Sequence, residues 1–186
     1  LERRPEGLYC PAGGFYIDPW QSVERAVVTH GHTDHARWGM GRYLCAERSV
    51  PVLRARLGPE ASIRGVPYGE PIAVGGAKVS LHPAGHIFGS AQVRVEVDGE
   101  VWVVSGDYKT EPDGTCDAWE PIRCHGFVTE TTFGLPVYRW RPQREVFAEI
   151  GSWWRSNERA GVGSILCAYA LGKAQRLIAG LAEYGP

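Results

Sequence analysis

The sequence predicts a mixed α/β (α+β) protein in which short strands occupy about the first two thirds and helices dominate the rest. Two observations lead to this fold class. Up to about Pro142, short apolar runs alternate with frequent glycine and proline, which is typical of short strands joined by turns. After Pro142 the apolar residues follow helical spacing instead, at Val146, Ile150, Trp153 and Trp154.

The apolar runs of the first part predict strands and one short helix. The Asp98-Gly99-Glu100 turn predicts a β-hairpin between two of these strands. A short helix is predicted over residues 49–58. The predicted strands cover residues 15–17, 25–29, 42–45, 77–82, 91–97, 101–106 and 126–130.

The last part of the chain predicts a helix–strand–helix unit. Residues 143–161 have the pattern of an amphipathic helix. Residues 163–170, GSILCAYA, predict a buried strand, and residues 171–185 predict a second amphipathic helix. Such a unit indicates the opening of a parallel α/β domain. We therefore expect one domain over residues 1–140 and the beginning of a second, incomplete domain over residues 141–186.

Composition and charge exclude several classes of protein. Hydrophobic residues make up 44% of the 186 residues, which excludes a disordered chain. No apolar run reaches the roughly 18 residues that predict a transmembrane helix. The N-terminus lacks the apolar segment of a secretory signal. Since the formal net charge is −1, a nucleic-acid partner would need a local basic patch.

The five cysteines predict free thiols and not a disulfide framework. Their number is odd, and the absence of a C-x-x-C motif also argues against a zinc ribbon. Reduced, mostly buried thiols are typical of cytosolic proteins. We therefore expect a cytoplasmic protein without a membrane partner.

The densest chemical motif is HGHTDH, which follows a predicted strand directly. His30 and His32 lie two residues apart, so in extended backbone both imidazoles face the same side. Asp34 and His35 come after the turn and can face a second point. Imidazole and carboxylate are ligands that zinc and similar divalent ions prefer. The motif therefore predicts two metals, with the first pair of residues on one and the second pair on the other.

A second histidine motif, HPAGH, predicts one further ligand. His82 and His86 lie four residues apart, but Pro83 and Gly85 disfavour a helix, so the two imidazoles need not converge. His86 is the better candidate because it occupies a glycine-flanked turn just before a strand. His82 is interpreted as a structural residue or as a support for a metal ligand.

Three acidic residues come at the ends of predicted strands. Asp107 follows VWVVSG, and its two carboxylate oxygens can bridge two cations, which an imidazole cannot do. Asp18 follows the first predicted strand and Glu130 ends the last. In isolation, each aspartate would be interpreted as a turn residue. Acidic and histidine residues at several strand ends indicate one cleft along one edge of the fold.

These motifs resemble those of the metallo-β-lactamase superfamily. Its motifs one to four match Asp18, the H-x-H-x-D-H run, His86 in AGHIFGS and Asp107 in SGDYK. TETTFG, which contains Glu130, and YALGKAQRL resemble the β-CASP branch, which includes Artemis-like DNA nucleases, ribonuclease J and the cleavage-and-polyadenylation endonuclease. The segments GLYCPAGGFYIDPW, LHPAGHIFGSAQVRVE and TETTFGLPVYRW are most similar to the bacterial ligase-associated DNA exonuclease family. The resemblance covers essentially the whole chain.

The resemblance implies a fold and a metal site. The fold is an αββα sandwich with the metals at the sheet edges, incomplete here and followed by the start of a β-CASP α/β domain. Two divalent cations are implied, with Zn²⁺ first and Mn²⁺ as the alternative. One cation is held by His30, His32 and His86. The other is held by Asp34, His35 and Asp107, with the last of these bridging both.

The resemblance also implies roles for the surrounding residues. Asp18 orients the metal loop, and Glu130 supports the site. Together with Asp34 and Asp107, they form the expected catalytic set. The family pattern continues to two further histidines, so we expect this chain to be an N-terminal part of the enzyme. His125 matches neither of them and is interpreted as structural.

The implied activity is hydrolysis of DNA phosphodiester bonds by an exonuclease in repair, through a water activated by two metals. An ATP-dependent DNA ligase and a helicase of the same repair system are the expected protein partners. The basic side chains expected to contact backbone phosphates are Arg37, Lys109, Arg139 and Arg141. The tryptophans that can either stack on unpaired bases or pack in a core are Trp140, Trp153 and Trp154.

Three other functions stay open from the residues alone. An RNA-processing nuclease of the same branch would use the same residue types. A small-molecule hydrolase, such as a lactamase or thioesterase, is disfavoured because TETTFG is followed by a second α/β unit. A non-catalytic binding or structural module is the third, since two of the family's histidines are expected outside this chain.

Overall fold

Two β-sheets and three α-helices make up residues 1–184, the part of the chain that this computed structural model describes. The first sheet contains β1 (Glu2–Arg4), β2 (Gly7–Cys10), β3 (Phe15–Ile17), β4 (Arg25–Val27), β5 (Arg42–Ala46) and β6 (Ile63–Val66). The second contains β7 (Ile72–Val74), β8 (Ala77–Pro83), β9 (Ala91–Val97), β10 (Glu100–Val104) and β11 (Gly126–Val128). The helices are a 3-10 turn (Glu47–Ser49), α1 (Val50–Leu57), α2 (Gln143–Arg159) and α3 (Lys173–Leu181).

Strand direction determines which loops meet at a common edge. In the first sheet β3, β4, β5 and β6 are parallel, so the loops after β3 and β4 leave from the same edge. In the second sheet β8 and β10 are both antiparallel to β9, and β11 is parallel to β10. The carboxyl ends of β8, β10 and β11 therefore also share one edge.

The two sheets pack face to face around an apolar layer. Phe15, Ile17 and Val27 from the first sheet and Val79 and Val93 from the second belong to this cluster. Each of these side chains is at most 3% exposed. Burial of one such side chain contributes about 1.5–3 kcal/mol to folding. This layer holds the two sheets, and hence their loop-bearing edges, in one arrangement.

Helix α1 covers the opposite face of the first sheet. Leu53 is fully buried there among Val28, Tyr43 and Cys45. The helix ends at Gly58, whose φ of 90° is favourable for glycine. Residues 1–130 thus form helix, sheet and sheet layers of the αββα sandwich, and the predicted mixed fold class is confirmed.

The strands predicted between residues 15 and 130 are present, with small shifts at their ends. The sequence pattern missed β1, β2, β6 and β7. These strands have three or four residues and lie at or next to sheet edges. Such short segments carry little periodicity, so their pairing depends on the neighbouring strand.

The strand predicted over residues 163–170 is wrong. The segment has no regular secondary structure, and Ile165 and Tyr169 are 84% and 77% exposed. A strand must satisfy its backbone groups with a neighbour, and residues 131–184 contain no other strand to provide one. The apolar run alone therefore does not make a strand here.

Contacts divide the chain into two units, Leu1–Glu130 and Thr131–Pro186. The sequence predicts this boundary ten residues later, after residue 140. In the second unit, α2 and α3 pack through glycines. A Cβ on Gly180 would lie 2.3 Å from the ring of Phe147, and one on Gly151 would lie 2.6 Å from Tyr184. Gly185, at the end of the predicted last helix, lies outside the described residues.

The five cysteines are free thiols, and Cys10 and Cys45 are buried. Burial raises the pKa of the Cys45 thiol to about 12, so it stays protonated and unreactive. In the described part of the chain, no helix has the length and apolar character that a membrane crossing requires.

Candidate metal centre

Three strand ends supply the candidate ligands. The loop after β4 carries His30, His32, Asp34 and His35. The turn after β8 carries His86, and the segment after β10 carries Asp107. The structure therefore brings together all six residues that the sequence predicts as metal ligands.

Four donor atoms converge on one point. The ligand atoms of His30, His32, His86 and Asp107 lie within 4.8 Å of one another. His32 Nδ1 lies 3.0 Å from His30 Nε2 and 3.2 Å from His86 Nε2. Asp107 Oδ2 lies 3.6 Å from His86 Nε2 and 3.8 Å from His30 Nε2. Ligands of a tetrahedral zinc ion are about 3.3–3.6 Å apart, so this donor set fits such an ion.

A second, more exposed donor set lies beside the first. His35 Nε2 is 3.3 Å from Asp107 Oδ1 and 3.6 Å from Asp34 Oδ2. The Asp107 carboxylate therefore directs one oxygen to the three-histidine group and the other to His35. The Asp34 side chain is 70% exposed, so this second set is open to solvent and to a ligand.

Asp18 and Thr29 hold the metal loop from behind. The Thr29 backbone N–H donates to Asp18 Oδ1 at 2.8 Å, and the Thr29 hydroxyl donates to Asp18 Oδ2 at 2.6 Å. The same Oδ2 lies 2.7 Å from His35 Nδ1. This contact places the proton of the imidazole on Nδ1 and leaves Nε2 facing Asp107. Thr29 Oγ1 also lies 3.0 Å from His30 Nδ1.

The His86 turn is shaped by two small residues. Ser90 Oγ accepts the backbone N–H groups of His86 and Ile87 at 3.1 and 3.2 Å. Gly85 has a φ of 72°, and a Cβ there would lie 2.2 Å from the Lys109 carbonyl oxygen. Sequence reasoning missed Ser90 and Thr29 as site residues. A sequence pattern could have indicated them: each is a hydroxyl residue close to a predicted histidine ligand and next to an apolar strand.

Comparison with known proteins identifies the family. No protein-family model matches the chain. A probable DNA ligase from Opitutus terrae is 32% identical over 180 residues, which is 95% of this chain and 18% of that protein. Endoribonuclease YSH1 from Saccharomyces cerevisiae is 31% identical over 66% of the chain. The Drosophila melanogaster cleavage and polyadenylation specificity factor 73 is 25% identical over 95% of it.

The chain belongs to the β-CASP branch of the metallo-β-lactamase superfamily. The alignment to the Drosophila protein extends over almost the whole chain. This β-CASP chain spans 18%, 16% and 26% of the lengths of the three relatives named above.

Burial makes two histidines of the β-CASP chain ready to bind a cation. Burial lowers the pKa of His30 well below its ordinary value, and the neighbouring histidines lower it further. Burial also lowers the pKa of His86, although the charges of Asp107 and Glu130 oppose this effect. Both imidazoles are therefore neutral at neutral pH, which is the form that binds metal.

His35 differs from these two histidines. Burial lowers its pKa, but hydrogen bonds to Asp107 and Asp18 outweigh burial and raise the pKa to about 10. The His35 hydrogen bond in turn lowers the pKa of Asp107, against the effect of burial. His35 thus holds a proton at neutral pH that a cation bound at Nε2 must displace. The charge of His35 stabilises the fold fully below pH 6.5, and this contribution is lost as the pH rises through about 10.

Cation binding by the β-CASP chain is therefore expected to depend on pH more steeply at the His35 donor set than at the three-histidine set. Below about pH 10, affinity at the His35 set should rise roughly tenfold per pH unit, because one proton is displaced. Affinity at the three-histidine set should depend on pH less steeply, because burial already keeps His30 and His86 neutral. Calorimetric titration of Mn²⁺ into cation-free protein at several pH values measures both. Equal pH dependence at the two sets would contradict the assignment of the proton to His35.

Glu130 and the other two histidines have distinct surroundings. Glu130 is close enough for its charge to act on His86. His82 stays outside the cluster, with Nε2 3.0 Å from Ser80 Oγ. His125 Nδ1 accepts the Val101 N–H at 3.0 Å, next to the pairing of β10 with β11. Neither of these two histidines contributes a donor atom to the candidate metal centre.

The predicted phosphate-contacting residues differ in their availability. Lys109 forms an ion pair with Asp113, and Arg141 forms one with Glu149 at 2.7 Å. Within residues 1–184, neither Arg37 nor Arg139 forms an ion pair, and both are exposed. Arg37 Nε donates to the Asp34 carbonyl oxygen at 3.1 Å, next to the second donor set.

The three tryptophans of the second unit are not fully buried. Trp140 is 70% exposed, Trp153 is 44% exposed and Trp154 is intermediate. Trp140 contacts Phe133 edge-on, with ring centroids 4.9 Å apart, in an exposed aromatic group. None of the three is enclosed in a core by the residues that the structure describes.

Proposed function

We propose that this chain is the cation-binding part of a metal-dependent nuclease that hydrolyses phosphodiester bonds. The observation that carries the proposal is the Asp107 carboxylate, which faces the three-histidine group with Oδ2 and His35 with Oδ1. A carboxylate shared in this way suits two cations side by side, the arrangement that phosphodiester hydrolysis uses.

The donor sets favour two divalent cations. His30, His32 and His86 with Asp107 would hold the first, and Asp34, His35 and the same Asp107 would hold the second. The mixture of imidazole and carboxylate suits Zn²⁺, and Mn²⁺ also accepts these ligands. When bound, such cations neutralise charge on phosphate oxygens and lower the pKa of a water molecule.

The chain's own residues prepare the site for this reaction. Asp18 keeps a proton on His35 Nδ1 and so presents Nε2 to the cleft. Thr29 ties Asp18 to the metal loop. The exposed Asp34 leaves the second donor set open to a phosphate group. Glu130 adds negative charge near His86.

DNA is the proposed substrate, and exonuclease action in repair is the proposed reaction. The support is the relative named a probable DNA ligase, which aligns with 95% of this chain at 32% identity. A DNA ligase and a helicase would be the partners of such an enzyme, in the cytoplasm. Arg37 and Arg139 are the proposed phosphate contacts, with Lys109 and Arg141 available only if their ion pairs open.

RNA cleavage is the second candidate function. The Drosophila cleavage and polyadenylation specificity factor 73 aligns with 95% of the chain, and the yeast relative is named an endoribonuclease. The metal donor set is compatible with either polymer, because phosphodiester hydrolysis is the same reaction in both.

The test uses the whole protein and 5′-labelled single-stranded DNA and RNA, with Mn²⁺ or Zn²⁺. Cleavage of DNA from one end is expected, and Asp34→Ala should lower its rate by roughly 100-fold or more, because a ligand of the second cation is lost. Glu60→Ala removes an exposed carboxylate elsewhere and is the matched control. Cleavage of RNA alone would show that the substrate is RNA and not DNA. Cleavage of neither polymer would overturn the nuclease proposal.

A further inference from the structure

A groove with two exposed tryptophans borders the metal loop. Its volume is about 360 Å³, which lies within the range of small-molecule sites. Trp20 and Trp38 line it and are 47% and 63% exposed, while Met40 is 8% exposed and lies in the same lining. Thr33, another lining residue, stands between the candidate ligands His32 and Asp34. The groove is therefore adjacent to the candidate metal centre.

The groove walls are held in place by backbone contacts. The Trp20 N–H donates to the Glu6 carbonyl at 3.0 Å, and the indole Nε1 donates to the Pro5 carbonyl. On the other wall, Gly39 has a φ of 91°, and a Cβ there would lie 2.7 Å from Ser22 Oγ. Glycine is therefore favoured at residue 39 by its φ, and a side chain there would also press on Ser22 Oγ.

The charge of the groove is positive. Among the described residues that line it, Arg37 alone is charged, and its guanidinium is anchored to the metal loop through the Asp34 carbonyl. Aromatic faces beside one cation are the combination that binds a nucleotide of a single strand, with the base stacked and the phosphate paired. A peptide segment with acidic character would make less use of two exposed indole faces.

We propose that this groove binds an unpaired nucleobase of the substrate strand, stacked against Trp38 or Trp20, with its phosphate at Arg37. The proposal rests on the proposed nuclease function. It assigns to the groove the nucleotide that neighbours the phosphate held at the metal centre. Stacking accepts every base, so the groove would support binding without sequence preference.

The test compares binding of two probes to the whole protein. The probes are 5′-fluorescein-labelled oligothymidylate and the same strand with abasic sites, measured by anisotropy in an Asp34→Ala background that slows hydrolysis. Trp38→Ala or Trp20→Ala, whichever removes the stacked indole, is expected to weaken binding of oligothymidylate by roughly 5- to 150-fold and to change binding of the abasic strand little. Trp38→Tyr keeps an aromatic face and should restore most of the affinity.

Two controls separate stacking from other effects. Tyr169→Ala removes an aromatic side chain that is 77% exposed in the second unit and should leave both affinities unchanged. Arg37→Gln should weaken binding of both probes alike. It should also reduce the slope of log affinity against log salt concentration by the amount expected for about one phosphate contact.

The outcomes distinguish the groove from the nuclease proposal. Wild-type affinities in both tryptophan variants, or equal losses for the two probes, would overturn the groove proposal. Such a result would point to a protein partner or to no ligand. Cleavage is measured separately, with protein that retains Asp34. Failure of the nuclease proposal would appear as absent cleavage, whereas failure of the groove proposal would appear in the binding assay.

Discussion

Replacing Asp107 with asparagine is expected to lower the cleavage rate of the whole protein by about 10³-fold or more. The amide keeps the size of the side chain, but only one of its two terminal atoms can bind a cation. Asp107 faces both donor sets, so the change weakens both. Loss of several kcal/mol of transition-state stabilisation corresponds to a rate effect of this size. Mass spectrometry should find fewer than two cations per chain.

Asp98→Asn is the matched control for this prediction. Asp98 is exposed in the hairpin turn between β9 and β10, at the opposite end of β10 from Asp107. Its φ of 49° is tolerated by asparagine, so the same change of charge is made without strain. Two bound cations and an unchanged rate in Asp107→Asn would contradict a bridging role for this residue.

Replacing Asp18 with asparagine is expected to lower affinity at the His35 set by about 10- to 100-fold, the usual effect of removing a partner that orients a metal ligand. Asparagine accepts the φ of 44° at this position. Because the Asp18 charge raises the pKa of His35, its loss should lower that pKa, and the pH dependence of cation binding should then level off at a lower pH. Calorimetric titration at several pH values measures both effects.

A purely structural role of Asp18 would give a different result. Thermal unfolding should then shift, and both donor sets should weaken equally because Thr29 contacts His30 as well as Asp18. The Asp98→Asn variant again serves as the control, since Asp18 and Asp98 are the two described non-glycine residues with positive φ.

The strands that carry the ligands were predictable from the sequence, whereas the strands at the sheet edges were not. The strands that carry ligands have clear apolar runs, since their side chains enter the core between the sheets. Strands β1, β6 and β7 lie at sheet edges, where pairing with a neighbour substitutes for a strong pattern. Residues 163–170 show the opposite case. Their apolar pattern is clear, but they form no strand because residues 131–184 hold no neighbouring strand to pair with them.

The candidate site was predictable as a set of residues but not as a geometry. The spacing of His30 and His32 indicates that they share a side, but not that one presents Nε2 and the other Nδ1. The roles of Thr29 and Ser90 depend on hydrogen bonds across loops, which no local spacing encodes. Nor does spacing show that Lys109 is already paired with Asp113.

The order of residue types along the chain indicates which side chains can bind a cation and which family's motifs they match. How those side chains meet depends on the packing of the two sheets. The direction of β4, β8 and β10 brings three separate ligand segments together, and the segments that carry Trp20 and Trp38 line the groove beside them. The reason is physical, because local spacing fixes the direction of a side chain within one segment, whereas strand pairing and packing fix the distance between segments.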